Sequence, residues 1–238
     1  MKLEENLQAL KLSGMSRMWQ SLKENRQHQS LNLTEGLELL LQAEKQDRDN
    51  RRRERLEKAA GFRYQASIEE ISFLQGRGID KNTILALSDC QFIDRGESVI
   101  ITGPTGAGKS YLASALGHQA CHMAYKVAYF NMHKLMLKLK LVRAEGSVVR
   151  FYEKLNKQQL LIMDDFGLSR LDQQQRMDLM EIVEDRHDRK SMIFASQLPI
   201  ASWYDIIGDD TIADAIMDRV IHKANRIELF GESMRKMK

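Results

Sequence analysis

The sequence is short of several things at once, and each shortage removes a class of protein. Only two cysteines occur, Cys90 and Cys121, without the spacing of a metal site or a redox pair. They read as reduced thiols in the core of a cytoplasmic protein. No apolar run approaches the ~18 residues needed to cross a bilayer, so no membrane role is expected. The opening "MKLEENLQ" puts acids where an export signal needs a basic flank and an apolar block. Proline is nearly missing, with two in 238 residues and none in the first sixty. There is no internal repeat and no low-complexity tract. The net charge of +3 is too small to announce nucleic acid by itself.

At 238 residues the chain is long enough for one α/β domain, with about 60 residues to spare. Those spare residues lie at the start. Leu7, Leu10, Met15, Met18 and Leu22 recur at helical spacing, and Leu37, Leu40, Leu41 and Ala43 do so again. Thr34 before Glu35 predicts a helix start, the hydroxyl capping free amides and the acid facing the dipole. The run "RDNRRRERLEK" holds Arg51, Arg52, Arg53 and Arg55, which suits either a solvated helix end or an arm contacting phosphates.

From residue 61 the pattern changes. The runs "SVIITG" (98–103), "KVAYFNM" (126–132), "QLLIMDD" (159–165), "SMIFASQ" (191–197) and "NRIELF" (225–230) alternate with helical stretches. Strands joined through helices form a mostly parallel sheet covered on both faces. Residues 1–60 are therefore read as a helical N-terminal domain, and 61–238 as an α/β core with a five-stranded sheet.

Charge is uneven along the core. From Lys126 to Lys157 eight basic residues face two acidic ones, a net +6, and the last twenty residues carry +4. Such basicity suits a polyanion partner or a solvated helix face.

"GPTGAGKS" fits the phosphate-loop pattern G-x-x-x-x-G-K-[ST], with a strand before it and a helix after. Its glycines let successive N–H groups turn into one concavity, and the following helix adds its positive end. The expected nucleotide contacts are Gly103, Pro104, Thr105, Gly106, Ala107, Gly108, Lys109, Ser110 and Tyr111. Lys109 is expected to reach the β- and γ-phosphates and Ser110 to ligate Mg²⁺. In "LLIMDDFG", Asp164 ends a buried strand and is expected to hold the magnesium through water, leaving Asp165 to orient and deprotonate an attacking water. Paired acids there could instead cap the next helix. A guanine-reading N-K-x-D is missing, as is the L-S-G-G-Q of transporter ATPases. "HQACH" puts His118, Cys121 and His122 at helical spacing without a fourth ligand, so zinc is not expected. Trp19 and Trp203 are read as packing residues.

What remains resembles the AAA+ ATPases. In that fold the strand after the acid pair ends in a polar residue beside the γ-phosphate; Ser196 and Gln197 stand there, and Gln197 can both donate and accept. The resemblance also implies that Arg219, in "DAIMDRV", reaches a neighbouring subunit's site as an arginine finger. A surface ion pair is the alternative. The whole chain is similar to the IstB-type ATPases, helpers of insertion-sequence transposition, in the clade of bacterial helicase loaders and initiators. "LKLSGM" (10–15), "GPTGAGKSYLASAL" (103–116), "LLIMDDFG" (160–167), "ASQLP" (195–199) and "DRVIHKANRIELFGESMRK" (218–236) carry the resemblance.

The resemblance implies ATP and Mg²⁺ as cofactors and an ATP-dependent homo-oligomer on double-stranded DNA. That oligomer deforms the target, recruits the transposase and is reset by hydrolysis. In "HKLMLKLKLVR", Lys134, Lys138 and, less neatly, Arg143 share a face, with Leu135, Leu139 and Val142 on another; together with Lys140, these basic residues are the ones expected to contact DNA. The chain departs from many AAA+ proteins in stopping eight residues after "IELF", without a helical lid of the usual size. Arg235 is the candidate to replace a lid arginine. A replicative helicase loader is the alternative within the class; a small-molecule kinase and a non-hydrolysing scaffold are the alternatives outside it.

Overall fold

Alternating β-branched and helical stretches produce a five-stranded sheet in the order β2-β3-β4-β1-β5, every pair parallel. A computed structural model describes residues 3–73, 76–231 and 233–234. Along the described chain run α1 (Leu3–Ala9), α2 (Ser13–Glu24), α3 (Leu33–Ala60), α4 (Lys81–Ser88) and α5 (Gln91–Asp94). Then follow β1 (Val99–Thr102), α6 (Lys109–His122), β2 (Val127–Asn131), α7 (Met132–Ala144), α8 (Val148–Asn156) and β3 (Leu160–Phe166). The last elements are α9 (Gln173–Arg186), β4 (Ser191–Ser196), α10 (Trp203–Ile207), α11 (Asp210–Ile221) and β5 (Asn225–Glu228). No helix among the described residues is long and apolar enough to cross a membrane.

The central strands β1, β3 and β4 bury side chains on both faces, as a sheet covered by helices on each side requires, while the edge strand β5 buries only Ile227. Ile101, Ile162 and Ile193 join one core cluster with Ile84, Phe92, Leu112 and Leu116. Their neighbours Ile100, Leu161, Met163 and Phe194 join the other, with Leu135, Leu139, Leu179, Trp203 and Ile216. Cys90 and Cys121 lie in the first cluster, where burial pushes their thiols up to about 11 and about 12. At such values the thiolate is scarce at neutral pH, in keeping with inert core cysteines.

By internal contacts the chain divides into two compact units, Met1–Arg55 and Leu56–Lys238. In the first, Gly14 of "LKLSGM" lies directly on the backbone of Ala43 and Glu44, where any Cβ would collide. The buried Glu44 carboxylate accepts the N–H groups of Gly14 at 2.8 Å and Met15 at 3.2 Å. One helix thus caps the start of another through a side chain. Burial pushes Glu44 up, but the bonds from Arg48, Met15 and Gly14 outweigh it and hold the carboxyl below its ordinary value.

One expectation changes here. The cap of α3 is Asn32, not Thr34: Asn32 Oδ1 accepts Glu35 N at 2.9 Å while Glu35 Oε2 accepts Asn32 N at 3.0 Å. This reciprocal pair satisfies two free amides, which a hydroxyl one residue before Glu35 cannot do. The helical recurrence of Leu37, Leu40, Leu41 and Ala43 falls within α3, where Leu37 and Leu41 are exposed, Leu40 and Ala43 half-buried, and Glu44 and Asp47 buried. Asp47 pairs with Arg17 and Arg51.

Candidate active site

Parallel strands deliver their carboxyl ends to one edge of the sheet, and the register here aligns four of them. Thr102 pairs with Ser196, Phe166 with Ser196, and Asn131 with Asp164. The loop after β1, the acids of β3, Gln197 after β4 and the end of β2 therefore meet at one rim. That rim is where open α/β sheets hold ligands.

The loop 103–108 takes its shape from three glycines with positive φ, of which Gly103 and Gly106 admit no side chain. A Cβ on Gly103 would strike Leu229, and one on Gly106 would strike Ser233. Lys109, buried, donates from Nζ to Gly103 O at 2.8 Å and Pro104 O at 2.9 Å, folding its charge back over the loop. Arg77 Nη2 donates to Ala107 O at 2.9 Å and Met234 N to Gly106 O at 3.0 Å. Thr105 Oγ1 donates to Gln197 Oε1 at 2.5 Å. Ser196 turns away, its hydroxyl donating to Phe166 O at 2.8 Å. Of the two polar residues ending β4, Gln197 is the one that reaches the loop. The hydroxyl of Tyr111 bonds to Glu70.

The acids sit opposite. Ser110 Oγ donates to Asp164 Oδ1 at 2.9 Å, and Asp164 is 1% exposed. Tyr129 donates its hydroxyl to Asp164 Oδ2; burial, then this bond, pushes the phenol's pKa up. Next to it β3 bulges, its register with β4 shifting between Met163 and Phe166, and Asp165 takes a left-handed φ of 57°. Aspartate tolerates that conformation better than most residues. The bulge re-aims the Asp165 carboxylate, which accepts from Asn131 Nδ2 at 2.8 Å and from Arg63 Nη1 at 3.1 Å.

Hard oxygen donors on Ser110 and Asp164, within one hydrogen bond of each other, suit Mg²⁺. A nearly fully buried carboxylate is also a group that needs a cation close by.

Arg219 lies elsewhere. Its Nε pairs with Glu184 at 2.6 Å and its Nη1 donates to Ala215 O at 2.8 Å. It lines a small cavity with Ser98, Met192 and Lys223, near the amino ends of β1 and β4, away from the loop of the same chain. On α7, Lys134, Lys138 and Lys140 are exposed while Leu135, Leu139 and Val142 are buried. Arg143 is engaged with the buried Asp178, which also accepts from Tyr152 at 2.9 Å. Arg235 falls outside the described residues.

Sequence reasoning missed Arg63, Tyr129 and Asn131. The last two had a signal: in "AYFN" they alternate along a strand whose carboxyl end lies beside the acid pair. Arg63, 102 residues from Asp165, had none.

A family model described as IstB-like ATP binding protein matches residues 5–238. The chain is 41% identical over 232 residues to a putative insertion sequence ATP-binding protein of Sinorhizobium fredii, covering 98% of this chain and 95% of that one. Among solved structures it is similar to DnaI, with a TM-score of 0.61 and 18% identity over 70% of this chain and 92% of that one. It is also similar to the DnaC helicase loader, with a TM-score of 0.55 and 21% identity over 63% and 87%. These two likenesses are of fold alone, and they agree with the parallel five-stranded α/β core described above.

Proposed function

The chain belongs to the IstB-like ATP binding proteins, and on that footing we propose that it is a Mg²⁺-dependent ATPase serving insertion-sequence transposition. In this reading it is a cytoplasmic protein that oligomerises with ATP on duplex target DNA, deforms it and recruits the transposase. Hydrolysis of ATP to ADP and phosphate then resets the complex.

The observation that carries the reading is the meeting, at one sheet edge, of a glycine-built loop, Lys109, Ser110, both acids and Gln197. The loop amides and Lys109, turned outward from Gly103 and Pro104, would bind the phosphates. Ser110 and Asp164 would hold Mg²⁺, whose charge offsets that of the phosphates. Asp165, released from Asn131, would take the proton of the attacking water. Gln197 would orient that water or the terminal phosphate. Arg219, whose pairing with Glu184 leaves it at the opposite edge of its own sheet, is assigned to a neighbouring subunit's site.

The DNA-facing surface is assigned to Lys134, Lys138 and Lys140, with Arg143 joining only at the expense of its Asp178 pair. The helical N-terminal residues 1–60 supply partner or DNA contacts; the exposed stripe Leu33, Leu37 and Leu41 supports the former.

The test is the size of the protein on duplex DNA with an ATP analogue or with ADP. Assembly with the analogue and dispersal with ADP are expected. A protein that stays monomeric with every nucleotide refutes the proposal, and capture of replicative helicase rather than transposase would make it a loader.

A further inference from the structure

We propose that Arg63 is the built-in counter-cation of the acid pair and competes for Asp164 with the Mg²⁺ that enters with the nucleotide. The inference rests on the ATPase reading and adds a residue that controls how strongly that site depends on its metal.

The geometry is specific. Arg63 Nη1 lies 3.1 Å from Asp165 Oδ2 and 3.6 Å from Asp164 Oδ2, so one guanidinium serves both carboxylates. Asp164 is buried, and its other bonds come from neutral groups: Ser110 Oγ, the Tyr129 hydroxyl and the Asp165 N–H. A buried carboxylate with only neutral donors is poorly compensated, and Arg63 brings the full positive charge.

Magnesium needs near-octahedral oxygen ligands at about 2.0–2.1 Å and keeps several waters. Taking Asp164 and Ser110, it would fill the space beside Asp164 with a doubly charged ion and its hydration shell. A guanidinium 3.6 Å from Asp164 Oδ2 then feels like-charge repulsion and loses its share of the Asp164 charge, leaving only Asp165 to hold it.

The side chain is free to yield while its backbone is not. Arg63 is 42% exposed at its side chain. Its neighbours are clamped to α6: the Phe62 ring lies 4.2 Å from the His118 ring and fills the space left by Gly117, where a Cβ would collide with it. On the other side His118 Nε2 donates to Tyr64 O at 3.1 Å. Substituting Arg63 therefore removes a charge without removing the packing that fixes the segment.

The test measures the affinity of a fluorescent, slowly hydrolysed ATP analogue, with saturating Mg²⁺ and with EDTA, for wild type, Arg63→Ala and Arg63→Lys. Without metal, Arg63→Ala leaves the carboxylates to repel the phosphates and binding weakens; with metal, the missing guanidinium no longer competes. The ratio of the two affinities should rise about three- to tenfold in Arg63→Ala. Arg63→Lys, which keeps the charge, should stay closer to wild type. A purely structural role would lower both affinities together and leave the ratio unchanged, which overturns the proposal, as does a fall in the ratio. If wild type binds no nucleotide in either condition, the ATPase reading fails and this one with it.

Discussion

Asp165 shows how much one residue's backbone decides. Its left-handed φ and the bulge around it aim the carboxylate at Asn131 and Arg63 rather than along the strand. In this state the proposed base is fully engaged and must be released to act. Asp165→Asn should bind ATP and DNA normally while turnover falls about 10²- to 10⁴-fold, the usual contribution of a positioned base. Lys109→Ala should instead lose about 10- to 100-fold in ATP affinity, as charge-assisted bonds to phosphate contribute about 1.5–3 kcal/mol. Single-turnover assays and nucleotide titration separate the two, and normal turnover in Asp165→Asn would reassign the base.

At the scale of elements, the site depends on how β3 and β4 are held in register, and a fully buried arginine ties their starts together. Arg186, the last residue of α9, donates to Leu155 O, Gln158 O and Gln159 O before β3 and to Ser191 O at the start of β4. Burial draws its pKa down to about 10 against the opposing pull of Asp185, still far above neutral. Arg186→Met keeps the apolar stem but orphans these carbonyls. It should cost about 3 kcal/mol or more, each unsatisfied buried acceptor contributing about 1–3 kcal/mol. Urea unfolding should show a lowered midpoint at unchanged slope; an unchanged midpoint would mean that water replaces the guanidinium.

The order of strands and helices is legible in the sequence because hydrophobic period and glycine placement are local signals. The five expected strands match β1–β5 to within a residue or two at each end. The α3 cap is not legible in the same way, because a hydroxyl and an amide read alike until the reciprocal Glu35 bond is seen. The exposure of the α3 leucines is hidden too, because periodicity reports a helical face and not what covers it.

For the molecule as a whole, the net +3 hides a basic surface on α7, where Lys134, Lys138 and Lys140 stand over buried leucines. On the proposed reading such a surface would release counterions from DNA without reading bases. Reversing Lys134 and Lys138 to Glu should weaken duplex binding and lower the slope of log affinity against log salt by about 0.9 for each phosphate no longer neutralised. An unchanged slope would return both lysines to a solvated face. Arg143→Glu is a poor probe of the same idea, since it would put a second acid beside the buried Asp178 and destabilise the domain.

Taken alone, the sequence determined the chemistry that lies close along the chain: the phosphate loop, the acid pair, the alternation that makes a parallel sheet. Each depends on neighbours within a few residues and on backbone geometry that glycine and strand ends impose. Only the tertiary structure decided which charges face each other: Arg63 on the acids, Arg143 on Asp178, Arg219 on Glu184, and Glu44 as the cap of another helix. Long side chains pair through space across spans that no local pattern encodes.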